Sequence, residues 1–230
     1  MAATIKFGHS GWRGTIAEEV TALKLYGLAV ATAKHVTEDK AVGFTSDDYE
    51  RLCRERKANH KNPLVVLGYD TRFLSESFAR LASEALSSNA VMVKLSDQPA
   101  PTPAVACAVQ DRAAVGGATI TASEGEAQYS GFKWCPYWGG AAPEEVTMDI
   151  ENRYSITASL AAKVNKDLSV LSQLVEKVDL RTPYFKRISS LLDIAALKKS
   201  GLKVGIDPLY GAASGYFRPL AEQLGLKALA

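Results

Sequence analysis

Excess charge, paired cysteines and long apolar runs are all missing from this chain of 230 residues. Lys and Arg number 27 against 25 Asp and Glu, a net charge of +2. So even a balance offers no broad field for a nucleic acid or an anionic membrane, and neither is an expected partner. The 3 cysteines, Cys53, Cys107 and Cys135, are odd in number, and none stands in a C-x-x-C pair. That argues against a disulfide framework and a cysteine zinc site, and fits a reducing cytosol; a cytoplasmic location is expected. The opening MAATIKFGHSGW has no long apolar stretch, so no secretory signal is expected. No apolar run is long enough to span a bilayer. Also missing are H-E-x-x-H, the Walker A loop, G-x-G-x-x-G and the G-x-S-x-G elbow of lipase-type hydrolases.

What remains is ordinary globular material, 47% hydrophobic and 23% charged. Short apolar runs alternate with helical patterns. ATIKFG reads as a strand ending at Gly8. Leu23, Tyr26, Val30 and Ala33 recur at helical steps and predict a helix over 18–36. Residues 39–62 are polar and read as a loop with one helical turn. PLVVLGYDTRF is a buried strand running into a loop. Ser75 then caps a helix with Phe78, Leu81, Ala82 and Ala85 on its apolar face. AVMVKLS is another strand, Thr102-Pro103 a helix start, and AAVGGATITAS a strand whose glycines permit close packing. Residues 144–180 read as largely helical, with Leu168, Leu171, Leu174 and Val178 on one face. A second unit follows: helix 186–199, strand LKVGIDPL, turn YGAASG and helix 214–224.

Strands separated by helices predict an α/β fold with a mixed, mostly parallel sheet flanked by helices, plus the start of a second similar α/β domain. The expected divisions are a domain over 1–150, a helical connection over 151–182 and an incomplete second α/β domain over 183–230. Loops at the carboxyl ends of parallel strands are where such folds bind ligands. Three stretches fall there. FGHSGWRG surrounds Ser10 and Arg13 with glycines, and arginine's planar fork suits phosphate; an exposed arginine in a strand-to-helix turn reads equally well. GYDTRF ends a strand in Asp70-x-Arg72, either an ion pair ordering the loop or the lining of a polar site. ITASEGEAQYSGFKW puts Ser123 in a small-residue turn before Glu124 and Glu126, with Lys133 beyond. A serine hydroxyl is weak without a base or metal, and no histidine is near in sequence. Ser123 is a nucleophile or a plain turn serine on local grounds.

Taken in order, these motifs resemble the N-terminal half of the α-D-phosphohexomutase family, the phosphoglucomutases and phosphomannomutases. The family opens on Phe-Gly-Thr-Ser-Gly-x-Arg-Gly, here Phe7 to Gly14 with His9 for threonine. Its Gly-x-Asp-x-Arg strand end is Gly68, Asp70 and Arg72, and its Pro-Thr-Pro segment is Pro101 to Pro103. Its phosphoserine loop, Thr-Ala-Ser-His-Asn-Pro followed by Tyr-Asn-Gly-Phe-Lys, resembles Thr121 to Glu126 with Tyr129 to Lys133. IDPLYGAAS resembles its Asp-Pro-x-x-Gly turn. The resemblance implies phosphoryl transfer on a hexose phosphate substrate, with Ser123 as a phosphoserine whose phosphate sits on Mg2+. It implies Lys133 near the transferring phosphate, and Ser10 and Arg13 lining the cleft. Positioning and charge neutralisation dominate that chemistry.

Two departures qualify the resemblance. Family His-Asn-Pro is Glu124-Gly125-Glu126 here. A unit charge pair at about 6 Å and an effective dielectric near 20 interacts by roughly 3 kcal/mol before screening. Phosphoserine is close to a dianion, so Glu124 and Glu126 are expected to oppose phosphorylation, with His9 a candidate replacement for the lost histidine. Second, the family's magnesium loop, Asp-x-Asp-x-Asp-Arg, and its two later domains have no counterpart; no Asp-x-Asp occurs. The expectation is a chain inactive alone. The alternative is a non-catalytic sugar-phosphate-binding or interaction module, or a subunit whose incomplete second domain is covered by a second chain or oligomer.

Overall fold

The computed structural model describes residues 5–9, 11–38, 51, 54, 55, 60–161 and 173–229. Six strands form one sheet: β1 (Trp12–Thr15), β2 (Leu64–Tyr69), β3 (Met92–Ser96), β4 (Gly116–Ile120), β5 (Tyr129–Pro136) and β6 (Val175–Val178). Their order is β1-β5-β4-β2-β3-β6. The β2–β3, β2–β4 and β3–β6 pairs are parallel, while β5 runs antiparallel to both β1 and β4. The expected mixed, mostly parallel sheet is the sheet observed.

Central β2 is buried at every residue, which explains its unbroken LVVLGY run. Alternate residues feed two cores. Val65, Leu67 and Tyr69 pack with Leu25, Leu28, Phe78, Leu86 and Ile150, from helices α1 (Ala22–Thr37), α2 (Ser75–Ser87) and α4 (Glu144–Ala161). Leu64 and Val66 face Ala104, Val105 and Val109 of α3 (Thr102–Asp111), and Phe185 of α5 (Arg181–Leu191). Helices thus cover both faces. Each leucine taken fully from water contributes roughly 1.5–3 kcal/mol. At Gly116 a Cβ would lie 2.3 Å from Trp134 Cζ2, so the paired strands approach only because that side chain is missing. Thr21 caps α1 by accepting from Lys24 N–H. His35 of α1 meets Asp149 of α4 at 2.5 Å, and Asp149 also accepts from Arg153 Nε at 2.9 Å, so the two helices share a buried polar junction.

The second unit holds α5, α6 (Ile194–Lys199), α7 (Phe217–Gln223) and a parallel pair, β7 (Lys203–Gly205) with β8 (Lys227–Leu229). Phe185 and Tyr216 enter the same core as Leu64 and Val66, which packs this unit against α3.

Several expectations are corrected. Among the described residues the first strand is Trp12–Thr15; of the strand expected to end at Gly8, residues 5–7 carry no strand pairing, Gly8 makes a bridge to Gly11, and residues 3 and 4 lie outside the described residues. Of the expected apolar face of α1, Val30 and Ala33 are buried and Tyr26 is half-buried, while Leu23 is exposed; Leu25, Leu28, Ala29 and Val36 complete the buried face. Leu74, not Ser75, stands at the N-cap of α2, because the Ser75 hydroxyl is committed to Asp70. Residues 175–178 are strand rather than helix: the free edge of β3 offers unpaired backbone groups, and Val175 and Val178 suit a pleat better than a helix. The helix expected over 186–199 is two helices, broken between Leu191 and Ile194. The loop expected over 39–62 lies mostly outside the described residues, as do Leu168 and Leu171.

Candidate functional site

Ser123 follows β4 in a loop whose shape is set from outside it. Its backbone is left-handed, φ 55°, a strained choice for a residue with a Cβ. Its N–H donates to Thr121 Oγ1 at 2.9 Å, and Gly125 N–H donates to Ala122 O at 3.0 Å. The loop then wraps the Arg72 guanidinium. Arg72 Nη2 donates to the carbonyls of Ser123 (2.8 Å) and Gly125 (2.5 Å). Nη1 donates to those of Glu126 (2.6 Å) and Tyr129 (3.2 Å). Nε donates to Asp70 Oδ2 at 3.1 Å. All five guanidinium donors are used, so Arg72 has none left for a ligand. Asp70 is held in turn by the Ser75 hydroxyl at 2.6 Å and the Arg72 N–H at 3.0 Å.

Both readings of Asp70-x-Arg72 are met at once: the pair orders a loop and also lines a cleft. The ordered loop is the serine loop, more than fifty residues further along the chain. Sequence reasoning missed that grip, because carbonyl partners carry no side-chain signature.

Arg13 reaches the loop from β1, where it lies opposite Gly131 of β5. Its Nη1 and Nη2 donate to Glu124 Oε1 (3.0 Å) and Oε2 (3.4 Å). Its Nε is buried and has no partner among the described residues. The Arg13 guanidinium, and after it the Ser123 hydroxyl, hold the Glu124 carboxyl far below its ordinary 4.5, at about 2. The fork is thus closed on the residue next to Ser123. Glu126 turns aside and accepts from Gln128 Nε2 at 2.6 Å.

Lys133 stands on β5 opposite Thr119 of β4. It lines a cavity of about 750 Å³ with Ser123, Cys107, Cys135 and Arg187. His9 is exposed and lines a small pocket on the other side of Lys133, beside Trp134. Gly11 lets that loop cross β5: its φ is 101°, and a Cβ there would come 2.7 Å from Phe132 O and 3.0 Å from Lys133 Cα. Ser10 lies outside the described residues. The structure therefore brings Ser123, Glu124, Arg13 and Lys133 together, and separates the Glu126 carboxylate from them.

A cleft of about 890 Å³ opens from Ser123 toward the second unit, with Asp70, Thr102, Thr121 and the Asp207–Ala213 turn in its walls. The turn is fixed across the gap by Thr71 Oγ1, which donates to Tyr210 O at 2.8 Å. The thiols in the neighbouring cavity are not activated: burial pushes Cys107 up to about 11 and Cys135 up to about 12. For magnesium the donor set does not fit. Among the described residues no three His, Cys, Asp or Glu side chains converge. The acid beside Ser123 is engaged by Arg13. Among the described residues no helix is long and apolar enough to cross a membrane.

The family model for phosphoglucomutase/phosphomannomutase, alpha/beta/alpha domain I, matches residues 50–160, which include Asp70, Arg72, Ser123 and Lys133. A phosphoglucomutase of Komagataeibacter xylinus is 27% identical across 97% of this chain and 39% of its own length. A phosphoglucomutase/phosphomannomutase of Thermococcus kodakarensis is 32% identical across 96% of this chain and 43% of its own. A solved Thermus thermophilus structure carrying the name phosphomannomutase superposes with a TM-score of 0.74 at 32% identity, over 99% of this chain and 45% of that one. A Paramecium parafusin structure, 17% identical with a TM-score of 0.64, shares the fold. The chain spans about two fifths of the length of these relatives.

Proposed function

The chain belongs to the phosphoglucomutase/phosphomannomutase family, and on that premise we propose that Ser123 is the residue that carries the phosphoryl group, with a hexose phosphate as substrate. The observation that carries the reading is the clamped loop. Arg72 spends its whole guanidinium on the carbonyls around Ser123 and on Asp70, which presents the serine at the head of a cleft in a strained, pre-set conformation. The Ser123 hydroxyl oxygen attacks phosphorus and gives its proton to solvent, while the sugar oxygen leaves with the electron pair of the broken P–O bond and takes up a proton. Lys133, which shares a cavity with Ser123, is the cation placed to balance charge on the phosphoryl oxygens; Arg13, paired with Glu124 beside the serine, adds to it where that carboxylate is displaced, and residues 207–213 bound the space for the sugar.

The magnesium that the family uses has no ligand set among the described residues. Complete turnover also calls for groups that reposition the sugar and grip its second phosphate. No Asp-x-Asp occurs in the sequence, and the match covers about two fifths of the relatives. We therefore propose that the 230-residue chain alone does not interconvert glucose 1-phosphate and glucose 6-phosphate. A coupled assay at micromolar protein with added magnesium checks this: no rate above the Ser123→Ala background is expected, and sustained conversion by the pure chain overturns it.

A further inference from the structure

We propose that Glu124 is a built-in competitor for the anion site: its carboxylate occupies Arg13, so an anion gains that cation only by displacing a tethered carboxylate. The inference rests on the phosphate-site reading above. Glu124 is 77% exposed, and an acid so exposed would ordinarily point into water, yet both its oxygens meet the Arg13 fork. The reason lies in the backbone. Arg72 Nη2 grips the carbonyls of Ser123 and Gly125, the residues on either side of Glu124. The left-handed turn at Ser123 then aims the side chain at β1. Little backbone freedom is left to lose when the pair forms, so it is pre-organised beyond an ordinary surface contact. Arg13 keeps further donor capacity, since its buried Nε has no partner among the described residues.

A tethered carboxylate sets one threshold, which ligands clear to different extents. A monoanion of carboxylate charge exchanges one pairing for an equal one and gains nothing. A phosphate near its dianionic form brings more charge and a third oxygen, and can displace Glu124. The apparent affinity of any anion is lowered by the fraction of molecules in which Arg13 is free. Removing the Glu124 charge should therefore raise affinity by a similar factor for every anion whose binding uses Arg13.

The test is calorimetric titration of the full chain with orthophosphate, glucose 1-phosphate and acetate, comparing wild type, Glu124→Gln, Arg13→Gln and the double variant. Glu124 is exposed, so the Gln variant should fold normally, which a urea midpoint confirms. Glu124→Gln is expected to bind orthophosphate about three- to tenfold more tightly, with acetate gaining by no larger a factor. The gain is expected to vanish in the Arg13→Gln background, the signature of coupling between the two side chains. If the gain persists without Arg13, simple charge removal explains it and the proposal is wrong. If Glu124→Gln binds as wild type does while Arg13→Gln loses phosphate, the proposal fails and the phosphate site stands. If no variant binds either phosphate, the phosphate-site reading falls, and this proposal with it.

Discussion

At the scale of single residues, the central fact is how the charges around Ser123 are shared out. The sequence places two acids after the serine and suggests that both repel a phosphate. In the structure Glu126 accepts from Gln128, and Glu124 is neutralised by Arg13. Repulsion is therefore not the whole effect of Glu124; it also withholds a cation. Its carboxyl titrates near 2, against an ordinary 4.5, first because of Arg13. A depressed carboxyl pKa gives a contribution fully present above the ordinary value and lost as pH falls through the folded one. The ion pair should thus persist at pH 3.5 and open only toward pH 2. Carboxyl carbon shifts of Glu124 followed by NMR check this. Arg13→Gln is expected to move the midpoint upward toward 4.5, and an unmoved midpoint would show that Arg13 is not the cause.

At the scale of elements, the serine loop is a guest of the β2–α2 connection. Asp70 ends β2, Ser75 opens α2, and between them Arg72 reaches a loop after β4. Replacing Arg72 with Gln leaves four carbonyls without their donor and Asp70 without its cation, a loss of about 1–3 kcal/mol in local order. Amide exchange over 123–129 should quicken roughly tenfold to a hundredfold while β2 and α1 stay protected. Arg72→Lys should restore little of this, since an ammonium cannot reproduce the planar fork. Unchanged exchange in Arg72→Gln would remove the clamp from the account. Elements were legible where local signals agreed. β2, β3, β4 and α3 follow from contiguous apolar runs and the Thr102-Pro103 start. β5 was hidden because YSGFKWCP reads as the tail of a loop, and only pairing with β1 and β4 makes it a strand. β6 is likewise a creation of the open β3 edge. The order of site motifs was legible; the Arg72 clamp was not, since its acceptors are backbone atoms of a distant segment.

At the scale of the whole molecule, net charge is too small to steer an anion, so attraction has to be local, from Lys133 and Arg187 in the cavity beside Ser123 and from Arg13 where Glu124 is displaced. The second unit contributes a wall and a cation: the turn over 207–213 is fastened to the first unit by the Thr71 hydroxyl, Arg187 lines the cavity that holds Ser123 and Lys133, and Phe185 and Tyr216 seal the junction below. The parts assembled here present a serine and balance charge around it, and the account turns on whether that serine takes a phosphoryl group. The most direct measurement is intact-mass and tandem mass spectrometry of the full chain after incubation with a hexose bisphosphate and magnesium. The predicted result is the mass of one added phosphate, localised to Ser123 and absent from Ser123→Ala. A chain whose Ser123 stays unmodified, or whose phosphate sits elsewhere, would contradict the assignment.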